Sequence, residues 1–454
     1  MLPRFALIRN TARNLEPHWV FIGLTLASLM LFLLLLLAPR ADGHLVGSDG
    51  TFYYVYLHSL VIDGDLSFAN EYRYFGLSAA ELTTPTGLAP NKYAIGPALL
   101  WLPFFLVAHA VSLLLGLEAD GYSYLYQSAI SVGSIVYGAL GFWLAYRSAR
   151  HLCSQSAALW AVVLLWLASN ASYYLIFEPS MSHMVALLSV ALLYHCWFSQ
   201  LRHQAAPRLS AVVLMGFAAG LVLLVRLQDG IVLLVPFGSL ALHALGAWRR
   251  GRSRESLAWL GAAVLAGGIA LVMLLPQLWV WNVVFGSWSV SPYMSDNPQP
   301  FRWGAPQVYG VLFSSFHGLL SWHPIYAAAL LGLLLLWRRD AGLASGLLLV
   351  IALQVYVVAA WWAWWQGDSF GGRMFLSLLW MWLLGLAVLL DWLRARGWLG
   401  AALVVGAVLV GWNGLALVQY RLGFVPMSEP LTWQQMTVER LRLPWLLWER
   451  LRSR

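Results

Sequence analysis

The sequence predicts an all-α polytopic membrane protein, and three observations carry that expectation. Hydrophobic residues make up 61% of the 454 residues and charged ones 10%, whereas a soluble domain carries roughly 25% charged residues. Mean hydropathy is +0.71. Eleven apolar runs of spanning length, about 20 residues each, lie near 18–38, 123–147, 157–177, 182–199, 209–226, 230–247, 257–282, 320–337, 342–362, 373–391 and 398–418. An ordinary soluble enzyme, a disordered chain and a disulfide scaffold are excluded by this composition.

The first run follows a basic start, MLPRFALIRNTARNLEPHW. It is longer than the 7–15 residues of a signal-peptide core and no A-x-A site follows it, so it reads as a retained span. One further run, 96–116, contains Pro97, Pro103 and His109. It either crosses the membrane or lies in the outer interface. The distribution of arginines decides between these. With a cytoplasmic N-terminus and 96–116 not crossing, the inner segments hold Arg4, Arg9, Arg13, Arg147, Arg150, Arg202, Arg208, Arg249, Arg250, Arg252, Arg254, Arg338, Arg339, Arg394 and Arg396, which is 15 of the 27 basic residues. If 96–116 crosses, the clusters from Arg147 to Arg396 all move outside. The expectation is therefore about eleven transmembrane helices, with 96–116 juxtamembrane or re-entrant. The tail 419–454 mixes Trp and Leu with Arg, as an interfacial helix does.

The net charge of +8 reads as topology-setting arginine rather than as a nucleic-acid surface. Cys153 and Cys196 fall at the ends of two runs. They suggest neither a disulfide framework nor a metal.

In this topology 15 of the 19 acids lie outside, including Asp296 and six within the loop 39–95, Asp42 among them. Residues 39–122 are expected to form an extracytoplasmic catalytic loop with juxtamembrane helices, inside a single membrane domain 1–454. Two further outward loops are notable, 283–319 and 361–373. No repeat, inverted pair of broken helices or low-complexity segment is evident.

Several residues carry candidate chemistry. Asp49, in GSDGTFYYVYL, suits a general base that takes a proton from a hydroxyl, with Tyr53 and Tyr54 beside it to stack on a sugar; alternatively Ser48 or Asp49 caps a helix. Asp63 and Asp65 form a D-G-D that is either a weak divalent-cation pair or a Gly-centred turn, and the turn is favoured. Lys92 is the only lysine in the chain and suits a phosphate as a point charge. Arg373 follows GDSFGG, where glycines admit an anion to backbone N–H groups, or it is a snorkelling anchor. Asp368 lies in the same stretch. Arg226 and Asp229 share an outward turn and either face a substrate or pair with each other. Glu178 and His183, at span ends, are either a site or a local structural pair. Trp365 belongs to WWAWW, an interfacial belt or a stacking wall. Five outward histidines, His44, His58, His183, His317 and His323, show no H-x-x-x-H spacing, so no zinc site and no cofactor are expected.

The order of these features resembles the GT-C class of membrane glycosyltransferases, and within it the protein O-mannosyltransferase and lipid A aminoarabinose transferase superfamily. The stretches that carry the resemblance are SDGTFYY (48–54), DGDL (63–66), NKYAIGPALLWLP (91–103), VLFSSFHGLLSWHP (311–324) and WWAWWQGDSFGGR (361–373). The sequence departs from the family pattern at Gly50, where a second acid is usual, and after Lys92, whose proline is delayed to Pro97.

The resemblance implies a sugar on polyprenyl phosphate as donor, transferred with inversion on the periplasmic or exterior face of a bacterial cytoplasmic membrane. It implies Asp49 as base, Lys92, Arg373 and Arg226 on the donor phosphate, and Tyr53, Tyr54, Asp65, Glu178, His183, Trp365 and Asp368 about the substrates. A lipid, glycan or protein acceptor fits equally. Competing readings are a transporter or flippase for lipid-linked glycans, a polysaccharide polymerase or ligase, and a non-catalytic assembly subunit. Charges kept to span ends and one early loop argue against transport.

Overall fold

The computed structural model describes residues 16–37, 43–291 and 299–452. Arg4, Arg9, Arg13, Asp42 and Asp296 lie outside the described residues. Among the described residues the chain is helical and has no strand; one isolated bridge joins Phe301 and Trp361. The helices are α1 (Pro17–Leu35), α2 (Asp49–His58), α3 (Ala69–Tyr74), α4 (Gly96–Leu115), α5 (Tyr124–Ala149), α6 (Gln155–Ala168), α7 (Ala171–Ile176), α8 (His183–Gln200), α9 (Leu209–Val225) and α10 (Leu234–Arg249). They continue as α11 (Ser253–Met273), α12 (Leu275–Phe285), α13 (Val308–Phe313), α14 (Leu319–Trp322), α15 (Ile325–Leu336), α16 (Ala341–Ala360), α17 (Leu379–Arg394), α18 (Leu399–Arg421) and α19 (Arg440–Arg452).

Over its described residues each of the eleven apolar runs is mostly helical. Among the described residues eight segments are long and apolar enough to cross a membrane: α1, α4, α5, Leu227–Arg249, Ser253–Phe285, α16, Arg373–Arg394 and α18. The apolar helices α6, α9 and α15 are shorter. Two of the runs are interrupted by a loop, and within a third α11 turns into α12 at Leu274. α6 breaks at Ser169–Asn170 before α7, and α14 breaks at His323–Pro324 before α15. The sequence shows no sign of the first break, which contains neither Gly nor Pro. In an apolar surround the backbone groups freed by a break must find new partners. At the first one, Asn413 Nδ2 on α18 donates to Leu167 O at 2.8 Å and to Ser169 O at 2.9 Å.

Burial ranks the helices from centre to edge. The segment Arg373–Arg394, ending in α17, is 83% buried, against 17% for α1 and for α18. α17 is thus the central post of the bundle, packed against α5, α6, α8 and α15. A second, separate core joins α2 and α4 to the first half of α5, the end of α9 and α12, with Tyr54, Tyr72, Trp101 and Phe105 inside it.

The loops predicted to be cytoplasmic come together at one end of the bundle. Arg202 after α8 pairs with Asp340 after α15. Arg339 lies 3.5 Å from Asp391 at the end of α17, which also accepts from Ser154 N, before α6, at 3.1 Å. The first loop, with Asp49, lies at the opposite end.

α4 packs antiparallel on the first half of α5. Trp101 Nε1 donates to Ser134 Oγ at 2.8 Å, Tyr137 OH donates to Leu100 O at 2.7 Å, and His109 Nδ1 lies 2.8 Å from Tyr126 OH. α8 runs parallel to the second half of α5: Met184 lies against Gly138, and His195 Nδ1 lies 3.0 Å from Ser148 Oγ. The part of α5 covered by α4 therefore projects beyond the start of α8, toward the end that carries Asp49.

The tail folds back on α18. Arg440 is buried, with Nε 3.2 Å from Gln419 Oε1 and its guanidinium 4.8 Å from the Trp412 ring. α19 leaves Leu441, Trp445 and Trp448 exposed, the amphipathic character expected of an interfacial segment.

Candidate functional site

Asp49 is the first residue of α2, where the aligned peptide dipoles favour an anion. Its carboxylate caps nothing. Oδ1 accepts from Tyr93 OH at 2.7 Å, and Oδ2 lies 2.9 Å from Arg373 Nη1. The capping alternative is thereby set aside: Ser48 makes no side-chain cap and holds φ at 55°. Gly50 is required by a close approach, since a Cβ there would stand 2.6 Å from Ser180 Oγ and 3.0 Å from Ser180 O. A second acid at this position has no room.

Arg373 reaches Asp49 from the far end of the chain. Gly371 and Gly372, at φ 42° and 60°, turn the chain into the start of the α17 segment. A side chain at Gly371 would collide with His323 and Trp322. Gly372 N donates to His317 O at 2.9 Å, and Asn170 Nδ2, at the α6 break, donates to Gly371 O. Arg373 is 6% exposed. Its Nη1 hydrogen is not aimed along the Asp49 oxygen, so the contact is one of charge, and Nε and Nη1 have no hydrogen-bond acceptor among the described residues. Buried donors left open in this way are costly and mark a place for an anion.

Tyr93 and Lys92 are held in a strip stitched to its surroundings. Tyr72 OH donates to Pro90 O at 3.0 Å, Asn91 Nδ2 to Phe52 O at 2.8 Å, Tyr56 OH to Tyr93 O at 2.9 Å, and Ile95 N to Gln277 Oε1 at 2.8 Å. The Lys92 ammonium lies 5.4 Å from the Tyr93 ring centroid. Burial, with Arg373 nearby, pushes its pKa below the usual lysine range, and Asp49 opposes that shift.

Arg226 ends α9. Its Nη1 lies 2.9 Å from His183 Nδ1, Nη2 2.8 Å from Met374 Sδ, and Nε 3.8 Å from Asp229 Oδ2. The local Arg–Asp pair exists, but it does not withdraw Arg226 from the site.

These side chains border one cavity of about 750 Å³. Asp49, Lys92, Arg226 and Arg373 line it together with Tyr53, His183, Gln277 and Gln354. Trp281, Trp361, Trp362, Trp365 and aliphatic residues of α9, α12 and α16 form the rest of its wall. Three cationic side chains thus face one carboxylate. A hollow of about 240 Å³ lined by the Trp361–Trp365 turn has Arg302 as its only titratable group among the described residues, so the titratable side chains gather at the larger cavity.

All three non-glycine residues with positive φ among the described residues flank the site: Ser48 beside Asp49, Gln366 beside Trp365, and His317, whose Nδ1 lies 3.0 Å from Trp365 O. Such strain persists only where the surroundings enforce it, and it gathers at functional sites.

Of the sequence candidates, Asp49, Tyr53, Lys92, His183, Arg226, Trp365 and Arg373 line the cavity. Four do not. Tyr54 is fully buried against α4 and donates to Gly121 O. Asp65 closes a turn, with Oδ1 accepting from Ser59 Oγ at 2.8 Å and Ser67 N at 3.0 Å. Glu178 is buried in the turn before α8, and Asp368 is exposed beyond Trp365. Asp63 leaves its D-G-D partner for His58, 3.2 Å away. Trp364 turns out of the wall onto Gly310. Tyr93, Gln277 and Met374 also line the cavity and carry no signal in the sequence.

No family model and no curated protein matches this sequence. Among solved structures it is similar to the oligosaccharyltransferase AglB of Archaeoglobus fulgidus in complex with an inhibitory peptide and a dolichol-phosphate, at 12% identity and TM-score 0.47, over 94% of this chain and 54% of that one. It is similar also to the apo form of the Archaeoglobus fulgidus oligosaccharyltransferase, at 13% identity and TM-score 0.48, over 93% of this chain and 62% of that one. The chain therefore spans between half and two thirds of the length of the structures it matches.

Proposed function

We propose that this protein is a membrane glycosyltransferase that moves a sugar from a polyprenyl-phosphate donor to an acceptor hydroxyl. One observation carries the reading: a carboxylate held between Tyr93 and Arg373 shares a cavity with three cationic side chains, and Arg373 has donors still open. A transferase of this type needs a base for one substrate and an anion site for the leaving group of the other, close together and out of bulk water. The volume suits a sugar phosphate. The aliphatic side of the cavity suits the first isoprene units, and the tryptophans suit a sugar face.

In the proposed step the acceptor oxygen attacks the anomeric carbon opposite the phosphate. The bond from that carbon to the phosphate oxygen breaks, and its electron pair leaves with polyprenyl phosphate. Asp49 takes the hydroxyl proton. Charge grows on the leaving phosphate, where Lys92, Arg226 and Arg373 stabilise it. The configuration inverts. The phosphate competes with Asp49 for the Arg373 guanidinium, which leaves Asp49 Oδ2 to the acceptor. No cofactor enters this chemistry. By the distribution of arginine the site faces away from the cytoplasm, which for a bacterial inner-membrane enzyme is the periplasm. On this reading α4, packed on the projecting half of α5, is juxtamembrane and the active-site loop is 39–122.

A second reading has a specific observation behind it. Helix breaks at Ser169–Asn170 and His323–Pro324 are a feature of transporters, so movement of a lipid-linked glycan is the alternative. Transfer from radiolabelled polyprenyl-phosphate sugars by protein in lipid, with membrane extract as acceptor, tests both. Label passing to a product, and lost in Asp49→Asn, supports the transferase. Donor that is neither bound nor consumed, but crosses the vesicle membrane, supports transport.

A further inference from the structure

A second cluster lies at the other end of α2. His58 is the last residue of that helix and a π turn, Ser59–Asp63, follows it. In an α-helix residue i+5 points about 140° away from residue i; the π turn, with its i→i+5 spacing, brings Asp63 back to His58. Glu71, from α3, completes the group. Asp63 Oδ2 lies 3.2 Å and Glu71 Oε1 3.0 Å from His58 Nδ1.

The hydrogen bonds fix what His58 offers. Its Nε2 lies 2.8 Å from Asp120 O, and a carbonyl only accepts, so Nε2 carries the proton. The Nδ1 lone pair of the neutral ring then faces two carboxylates. With the ring neutral, three acceptors converge on one point, and the hydrogen-bond donor to them among the described residues is Asn70 Nδ2, 2.8 Å from Asp63 Oδ2. Among the described residues no Lys or Arg pairs with Asp63 or Glu71. Glu71 is fully buried, and its Oε2 has no hydrogen-bond partner of ordinary geometry. Two carboxylates sharing one added proton leave a buried net charge of minus one. A divalent cation with a neutral imidazole leaves none.

We propose that His58, Asp63 and Glu71 form a structural site for a divalent cation of the zinc class. One imidazole and two carboxylates are a donor set for such an ion. Metal–ligand bonds of about 2.0–2.1 Å in a tetrahedron place ligand atoms about 3.3 Å apart, close to the two separations seen. The Nε2–H bond to Asp120 O is the outer contact that orients a metal-bound histidine. Tyr122 stacks on the His58 ring at 4.0 Å and Tyr74 stacks on Tyr122 at 3.9 Å, covering one face of the ring, while Asp63, 28% exposed, opens the site to solvent. The ion joins α2, α3 and the turn before α5. It sits about 14 Å along α2 from Asp49, so it fixes the helix that presents Asp49 and takes no part at the cavity. The site is independent of the proposed transferase activity.

The test uses the full chain in detergent, without an affinity tag, stripped with chelator and titrated with Zn²⁺ alone. Metal content and Tm are the readouts. The proposal expects one Zn²⁺ per chain and a Tm that rises with Zn²⁺ concentration. Glu71→Gln and Asp63→Asn bind at least about tenfold more weakly, and Asp65→Asn binds as the parent does. Asp63 is partly exposed, so its variant carries the test if Glu71→Gln does not fold. A stripped parent that takes up no Zn²⁺, or an Asp63→Asn protein that binds it equally well, overturns the proposal and leaves a proton-shared ion cluster.

Discussion

Asp49 Oδ2 and Arg373 Nη1 stand 2.9 Å apart, although one residue opens the first helix after α1 and the other opens the segment that ends in α17. The pair fastens the first loop to the central post of the bundle. In the proposed reaction it also sets the base beside the anion receptor.

Lys92 is expected to set an alkaline limit on donor binding. It must be protonated to hold a phosphate, and burial and Arg373 hold its pKa below the usual lysine range. As pH rises through that lowered value the ammonium loses its proton and donor affinity falls. Lys92→Arg keeps the charge at any practical pH, so its alkaline limb moves upward. Donor Kd measured against pH for both proteins checks this; identical limbs would assign the loss to another group.

Tyr93→Phe keeps the ring and removes the hydroxyl that meets Asp49 Oδ1. A hydrogen bond to a charged group contributes about 1.5–3 kcal/mol, which corresponds to about a ten- to hundredfold drop in kcat/KM. Tm is expected to hold, because the ring packing against Phe52 and Tyr53 stays.

Gly50→Ala is expected to lower stability by about 1–3 kcal/mol, because the added methyl meets the Ser180 backbone as well as its hydroxyl. Denaturant or thermal unfolding in detergent reads it out. A neutral result would mean that α2 and the 178–182 turn separate without cost.

Asn413→Leu removes the donor that serves Leu167 O and Ser169 O at the α6 break. Two buried carbonyls lose a partner at about 1–3 kcal/mol each. Tm should fall while Asn413→Gln keeps part of the loss back. An unchanged Tm in Asn413→Leu would show that the break needs no side-chain donor.

Much of this arrangement was legible in the sequence. In a chain with 10% charged residues each charge stands out, and Asp49, Lys92, Arg226 and Arg373 all reach one cavity. The clustering of inner arginines likewise follows from charge alone. What stayed hidden depended on direction. Tyr53 and Tyr54 are adjacent on a helix, so they point about 100° apart, and only Tyr53 meets the cavity. Asp63 and Asp65 flank Gly64, whose φ of 74° sends one acid to His58 and the other to Ser59. Tyr93 is one of 19 tyrosines and carries no local signal. The α6 break is invisible because its partner, Asn413, lies on α18.

In the proposed reaction Asp49 acts as the base on an acceptor hydroxyl while the cations hold the donor phosphate. The most direct measurement pairs donor binding with turnover in Asp49→Asn, using purified protein in lipid and a radiolabelled polyprenyl-phosphate sugar. Donor affinity is expected to stay close to that of the parent and turnover to fall by about a hundredfold to ten-thousandfold. Turnover at the parental rate would contradict this and remove Asp49 from the chemistry.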